Sequence, residues 1–325
     1  AFRQALQAAE QIEDVLKRSW VYREIALALA WAGQAKQAQE AFRQALQAAE
    51  QIEDVPKRSE AYHETALALA WAGQAKQAQE AFRQALQAAE QIEDVPKRSW
   101  VYREIALALA GAGQAKQAQE VFRQALVAAR QIEDVPKRSW VYREIALALA
   151  LAGQAKQAQE AFRQAWVAAG QIVDADKRSE AYHKTALALA WAGLTEQALV
   201  AAWQIEDVSK RSWVYREMAL ALAGAGQTEQ ALVAAGQIED AYGRSEAYAQ
   251  VALALARAGQ TEQALVAAGQ IEIALWRSEA YCAIALALAW AGQAKQAQEA
   301  FRQALQAAEQ IEDVLKRSWV YREMA

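Results

Sequence analysis

Two histidines, His63 and His183, and one cysteine, Cys282, are all the imidazole and thiol chemistry in a chain of 325 residues. A Ser or Cys nucleophile needs a base within hydrogen-bond reach, and a zinc site needs several ligands at short spacing. Neither histidine has a neighbour at metal-ligand spacing, and Cys282 stands alone in its stretch of sequence. The recurring acidic pair Glu53-Asp54 could do acid–base work. It returns many times along the chain with Lys57 and Arg58 beside it, as exposed turn charges do, and such pairs contribute little. Each glycine is isolated, so no loop can cradle a phosphate. The expectation is a protein with no catalytic residue, no metal and no cofactor, hence not an enzyme.

Recognition chemistry is better supplied, because tryptophan and arginine recur in register. One column reads Trp20, Glu60, Trp100, Trp140, Glu180, Trp213, Glu246, Glu279 and Trp319. Three residues on come Arg23, His63, Arg103, Arg143, His183, Arg216, Ala249, Cys282 and Arg322. Eight further on stand Trp31, Trp71, Gly111, Leu151, Trp191, Gly224, Arg257 and Trp290. Tryptophan and arginine dominate binding hot spots, since they join large contact area to a directed polar group. At about 100° per residue the three columns share an arc about 80° wide on one helix. The Trp20 column should be solvent-accessible, because a core site would not accept the glutamates that replace tryptophan there. The Trp31 column fits packing at a helix seam as well as recognition. His63 and His183 read as surface variants of the arginine column. Variation at Glu50, Glu90, Arg130, Gly170 and Trp203 belongs to a second helix and to the opposite face.

The elements that position these columns are repeats. The phrase Ala-Leu-Ala-Leu-Ala-x-Ala-Gly occurs eight times, and its closing glycines, from Gly33 to Gly292, are spaced four times by 40 residues and then three times by 33. Such periods mark a stack of one small folding unit. Between Asp54, a helix cap, and Gly73, a left-handed stop, a helix A is predicted with Tyr62, Thr65, Ala66 and Leu69 on its apolar stripe. A helix B is predicted from about Gln74 to Val95, with Ala78, Phe82, Ala85, Leu86, Ala89 and Ile92 facing inward. The short repeats drop seven residues from helix B, nearly two turns, which turns its buried face by only about 20°. No linker interrupts the pattern, so one array over 1–325 is expected: 40-residue units to about 193, 33-residue units over about 194–292, and a long-type unit over 293–325.

Composition narrows the partners. Alanine swells an apolar share of 54%, with only 3 Pro and 14 Gly, and almost no β-structure is expected. A net charge of -4 gives no field for a phosphate backbone or an anionic membrane, so nucleic acid is an unlikely partner. No apolar run approaches the ~20 residues of a membrane span. With one cysteine and no signal peptide, a soluble, reducing cytoplasmic setting is expected. Residues 1–25 return at 300–324 with only Ile25 changed, to Met324, which suggests an excerpt of a longer array. Phe2, Leu6, Val320 and Tyr321 would then lie on uncapped ends, and head-to-tail self-association would cover them.

The pattern of Tyr248, then small and apolar residues at Val251, Ala252 and Leu255, a turn at Gly259, and Ala264 and Ala268 beyond it resembles the tetratricopeptide repeat. Bacterial helical repeats from large ligand-sensing regulators are similar too. Three features depart from that family: the unit lengths, a second-helix Phe confined to long units, and a terminal Pro kept only as Pro56, Pro96 and Pro136. The resemblance implies an all-α solenoid of antiparallel hairpins in a right-handed superhelix, its concave groove lined by helix A and used as a protein- or peptide-binding scaffold or sensor. Trp20, Arg23, Trp100, Arg103, Trp140, Arg143, Trp213 and Arg216 would be its contacts, and arginine beside tryptophan suits a ligand with carboxylates and apolar groups. Self-association and, less favoured, single-stranded RNA stacked on Trp and Arg are the alternatives.

Overall fold

A computed structural model describes residues 2–324, which form eighteen α-helices; no strand occurs among the described residues. They fall into two compact units, Ala1–Gln171 and Ile172–Ala325. In the first, α1 (Phe2–Glu10) precedes four antiparallel A/B hairpins. These are α2 (Val15–Trp31) with α3 (Ala35–Glu50), α4 (Val55–Trp71) with α5 (Ala75–Glu90), α6 (Val95–Gly111) with α7 (Ala115–Arg130), and α8 (Val135–Leu151) with α9 (Ala155–Gly170). The second unit pairs α10 (Ala175–Trp191) with α11 (Thr195–Trp203), α12 (Val208–Gly224) with α13 (Thr228–Gly236), and α14 (Ala241–Arg257) with α15 (Thr261–Gly269). It closes with α16 (Ala274–Trp290), α17 (Ala294–Glu309) and α18 (Val314–Met324).

Local chemistry sets the boundaries. Asp54, Asp94 and Asp134 each accept a hydrogen bond from the backbone N–H three residues on, at 2.8–2.9 Å, and so cap α4, α6 and α8. Proline follows at the first turn, where its missing donor costs nothing. At the other end Gly113 takes φ 74°, its N–H bonds to Ala110, and the N–H of Gln114 reaches back to Leu109 at 2.8 Å. This double closure satisfies the last carbonyls of α6, and only glycine takes that φ without strain. Helix B is shorter than its apolar period suggests. It stops at Glu90, the turn runs over Gln91–Asp94, and Val95 already opens α6. Ile92 continues the apolar rhythm because it is buried from the turn itself.

Within the first unit each B helix has 16 residues and seats one phenylalanine, Phe42, Phe82, Phe122 or Phe162, in the core against its hairpin partner. Burial of each contributes about 1.5–3 kcal/mol. Ser19, Ser59, Ser99 and Ser139 are buried too, and each donates to a helix-B carbonyl (Ala45, Ala85, Ala125, Ala165) at 2.8–2.9 Å, so no hydroxyl is left unsatisfied. In the second unit α11, α13 and α15 have 9 residues each and carry no phenylalanine. Alanines of these short helices are buried instead, as are Tyr215, Met218, Val251, Leu255 and Ile284 of the A helices.

The arginines after the acidic turns are not loose partners of Glu53-Asp54. Arg18, Arg58, Arg98 and Arg138 donate to the carbonyls of Ile12, Ile52, Ile92 and Ile132 at 2.7–3.0 Å. Their other nitrogen donates to Gln51, Gln91, Gln131 and Gln171 at 2.7–3.0 Å. Each guanidinium thus staples the turn before its hairpin to the turn after it. In the second unit Arg178, Arg211 and Arg244 make the second contact to Glu206, Glu239 and Glu272, and Arg277 makes it to Gln310 beyond the long α17. Val320, expected on an open apolar end, is buried in a cluster with Ala308 and Ile311, against Leu275. Phe2 and Leu6 are half-buried, and Leu6 packs on Ala9, Tyr22 and Ala45.

Candidate functional site

The second turns of the A helices present the Trp20 column to solvent: Trp20, Trp100, Trp140 and Trp213 are all exposed, as are Glu60 and Glu180. The arginines one turn on lie flat along the helix face. Side chains of Arg23, Arg103 and Arg143 are only 11–13% exposed. Arg23 pairs with Glu24 at 3.3 Å and with Glu64 of the next repeat. Arg103 pairs with Glu104 and reaches Glu144 at 3.6 Å, while Arg143 pairs with the same Glu144 at 3.1 Å. In the second unit Arg216 contacts Glu246 at 3.2 Å. These guanidiniums are spent inside the protein, so the arginine column offers little to a ligand carboxylate, contrary to the expectation from its composition. Sequence spacing hid this, because Glu64 and Glu144 lie 41 residues beyond Arg23 and Arg103 and become neighbours only when the hairpins stack.

Trp100 and Trp140 come together. Their rings stack with centroids 5.5 Å apart and planes inclined by 11°. The Arg103 guanidinium carbon lies 3.8 Å from the Trp100 ring centre, a cation–π contact that fixes the plate. Beside the indoles opens a cleft of ≈ 530 Å³, lined by Pro56, His63, Pro96 and Val101, by the carboxylates of Glu60, Glu64 and Glu104, and by Lys57 and Lys97. A second cleft, ≈ 330 Å³, lies on the other side of Glu60 between Trp20, Arg23 and Glu64. Although Glu60 stays exposed, partial desolvation of its carboxyl in the cleft pushes it above the usual carboxylate range, and repulsion from Glu64 and Glu104 pushes it further. His63 is buried rather than a surface variant. Its Nδ1 lies 3.2 Å from the accepting Ser59 carbonyl, and burial holds its imidazolium form below the ordinary histidine range.

Residues 97–165, which contain Trp100, Arg103, Trp140 and Arg143, match the tetratricopeptide repeat family. The same hairpin recurs on either side of that segment with almost the same residues. The chain is a tetratricopeptide-repeat-like protein. Repeats of this kind mediate protein–protein interaction and scaffolding. Among solved structures, the repeat protein is similar to Ton1535 from Thermococcus onnurineus NA1, at 20% identity over 99% of this chain and 95% of that one, with a TM-score of 0.44. It is also similar to nearly identical TPR-like repeats from Podosopora anserina (24% identity, 57% of this chain, 95% of that, TM-score 0.36). A third similarity is to a signal-transduction ATPase with a tetratricopeptide repeat sensor from Pyrococcus horikoshii (14% identity, 98% of this chain, 52% of that, TM-score 0.34). No curated protein shows significant sequence similarity to it.

The remaining candidates of the repeat protein lie outside this cleft. Trp31 is 76% exposed at the end of α2, and Trp71, Trp191 and Trp290 are also exposed, so none is the seam packing that one reading of that column allowed. Arg257 is exposed at the end of α14. His183 meets Trp213 edge-on, ring centres 4.3 Å apart. Among the described residues no group of three or more His, Cys, Asp or Glu could hold a metal ion, and no helix is long and apolar enough to cross a membrane.

Proposed function

We propose that this protein is a non-catalytic module that captures a protein or peptide segment on its helix-A face, with the Trp100–Trp140 cleft of the first unit as the principal site. The stacked and exposed indole pair carries the reading. Two large aromatic plates stacked on each other, one of them under an arginine, gain nothing for the core, yet they present rigid apolar area at a small entropic cost, as binding hot spots do. The open cleft alongside is wide enough for two or three peptide side chains and is walled by prolines rather than by mobile loops.

Substitution separates recognition from packing. A peptide selected from a random library on the intact protein should lose affinity by at least about tenfold on Trp100→Ala, and further on Trp100→Ala with Trp140→Ala, which corresponds to about 1.4 kcal/mol or more. The thermal midpoint should hold within a few degrees, because both side chains are 37–41% exposed. A large fall in melting temperature, or binding that survives the double variant, would refute the assignment.

A further inference from the structure

We propose, on the footing of the peptide-binding reading above, that the Trp100–Trp140 cleft takes a basic side chain, arginine or lysine, from a peptide segment of its partner. Which of the lining charges lack a partner decides the sign. Three carboxylates, Glu60, Glu64 and Glu104, line it. Glu64 is engaged by Arg23 and Glu104 by Arg103, whereas Arg23 and Lys57 act on Glu60 only through space. Glu60 is therefore the one lining carboxylate without a cation in contact, flanked on each side by an indole-walled cleft. The groups that would favour an anion are weak competitors. Arg103 is held by two glutamates and an indole, His63 stays neutral because it is buried, and Lys57 and Lys97 are exposed on flexible stems, where pairs contribute little. A guanidinium or ammonium beside Glu60 would gain a charge-assisted hydrogen bond there and cation–π attraction from the neighbouring rings. It would also relieve the repulsion that Glu60 now feels from Glu64 and Glu104.

Three eight-residue peptides on one apolar scaffold, differing only in two central residues (Arg-Lys, Gln-Gln or Glu-Asp), are titrated calorimetrically into the full chain. The basic peptide should bind at least about tenfold more tightly than the neutral one, weaken with added salt, and lose about tenfold on Glu60→Gln and more on Glu60→Lys. A neutral or acidic peptide that binds as well as the basic one overturns the proposal. If Trp100→Ala abolishes that binding, the peptide-binding reading stands while the charge assignment falls. Basic-peptide binding indifferent to both Glu60→Gln and Trp100→Ala places the contact elsewhere and overturns both, as does the failure of all three peptides to bind. Glu60 sits at a position that holds tryptophan in other repeats, so the fold tolerates these changes, and thermal melts of each variant check that directly.

Discussion

Glu60 and His63 stand three residues apart on α4 and respond to pH in opposite senses. The folded protein raises the Glu60 carboxyl, so it holds that proton more tightly than the unfolded chain does. The advantage is complete below the unfolded carboxylate range and disappears as pH rises through the higher folded value. Glu60→Gln should therefore raise the melting temperature at pH 7 and lose that gain toward pH 4, as pH-stepped melts will show. His63 behaves conversely: its folded proton affinity is depressed, chiefly by burial and slightly by Arg23, against the opposing pull of Glu64, Glu104 and the Ser59 carbonyl. Its contribution is full above the unfolded histidine value and fades as pH falls through the folded one. Melting temperature should drop between pH 7.5 and 5.5, and drop less in His63→Gln. Glu160, held down to about 2 by Arg163 and Gln164 on the exposed face of α9, adds stability that is lost only in stronger acid.

At the scale of elements, caps and stops do the positioning. All A helices from α4 to α14 begin with an aspartate cap, but α16 has Ile273 at its cap position, which makes no side-chain cap bond. Ile273→Asp should add about 1 kcal/mol and raise the denaturant midpoint without changing its slope. Gly113→Ala should cost about 1–2 kcal/mol, because φ is 74° there while the space for a methyl is open. Helix A was legible in the sequence for these reasons: Asp54 and Gly73 mark both ends by side-chain chemistry. The end of helix B was not, since Ile92 keeps the apolar period after the hydrogen-bond ladder has stopped. The same division runs through the candidate site. Exposure of Trp100 follows from the glutamates that share its column, whereas the burial of His63 and the contact of Arg103 with Glu144 arise only when neighbouring hairpins stack, which no local spacing displays.

Over the whole molecule, stability is the sum of hairpins and of the faces between them, so it should be modular. Removing residues 55–94, which joins Asp54 to Val95, takes out one hairpin, keeps Pro96 and Arg98, and puts Asp54 and Ile52 in the places of Asp94 and Ile92, the acceptors of the cap and of the Arg98 staple. That shortened protein should remain fully helical and melt cooperatively at a lower temperature. Removing only residues 55–74 leaves α5 without its partner, and circular dichroism should show a loss of helix well beyond the share deleted.

The arginine staples have a consequence for how the chain finds its frame. In the first unit every stapling guanidinium meets an equivalent glutamine and every buried serine an equivalent alanine carbonyl, so a helix that lands one repeat too far finds an equally good seat. Slippage there would loop out a hairpin, or recruit one from another molecule, at little energetic penalty. Only the nine-residue helices, whose staples end on Glu206, Glu239 and Glu272, offer a landmark that differs from the rest. Recovery from denaturant should accordingly show slow, concentration-dependent phases rooted in the first unit, and the short repeats should serve as the index mark from which the others are counted.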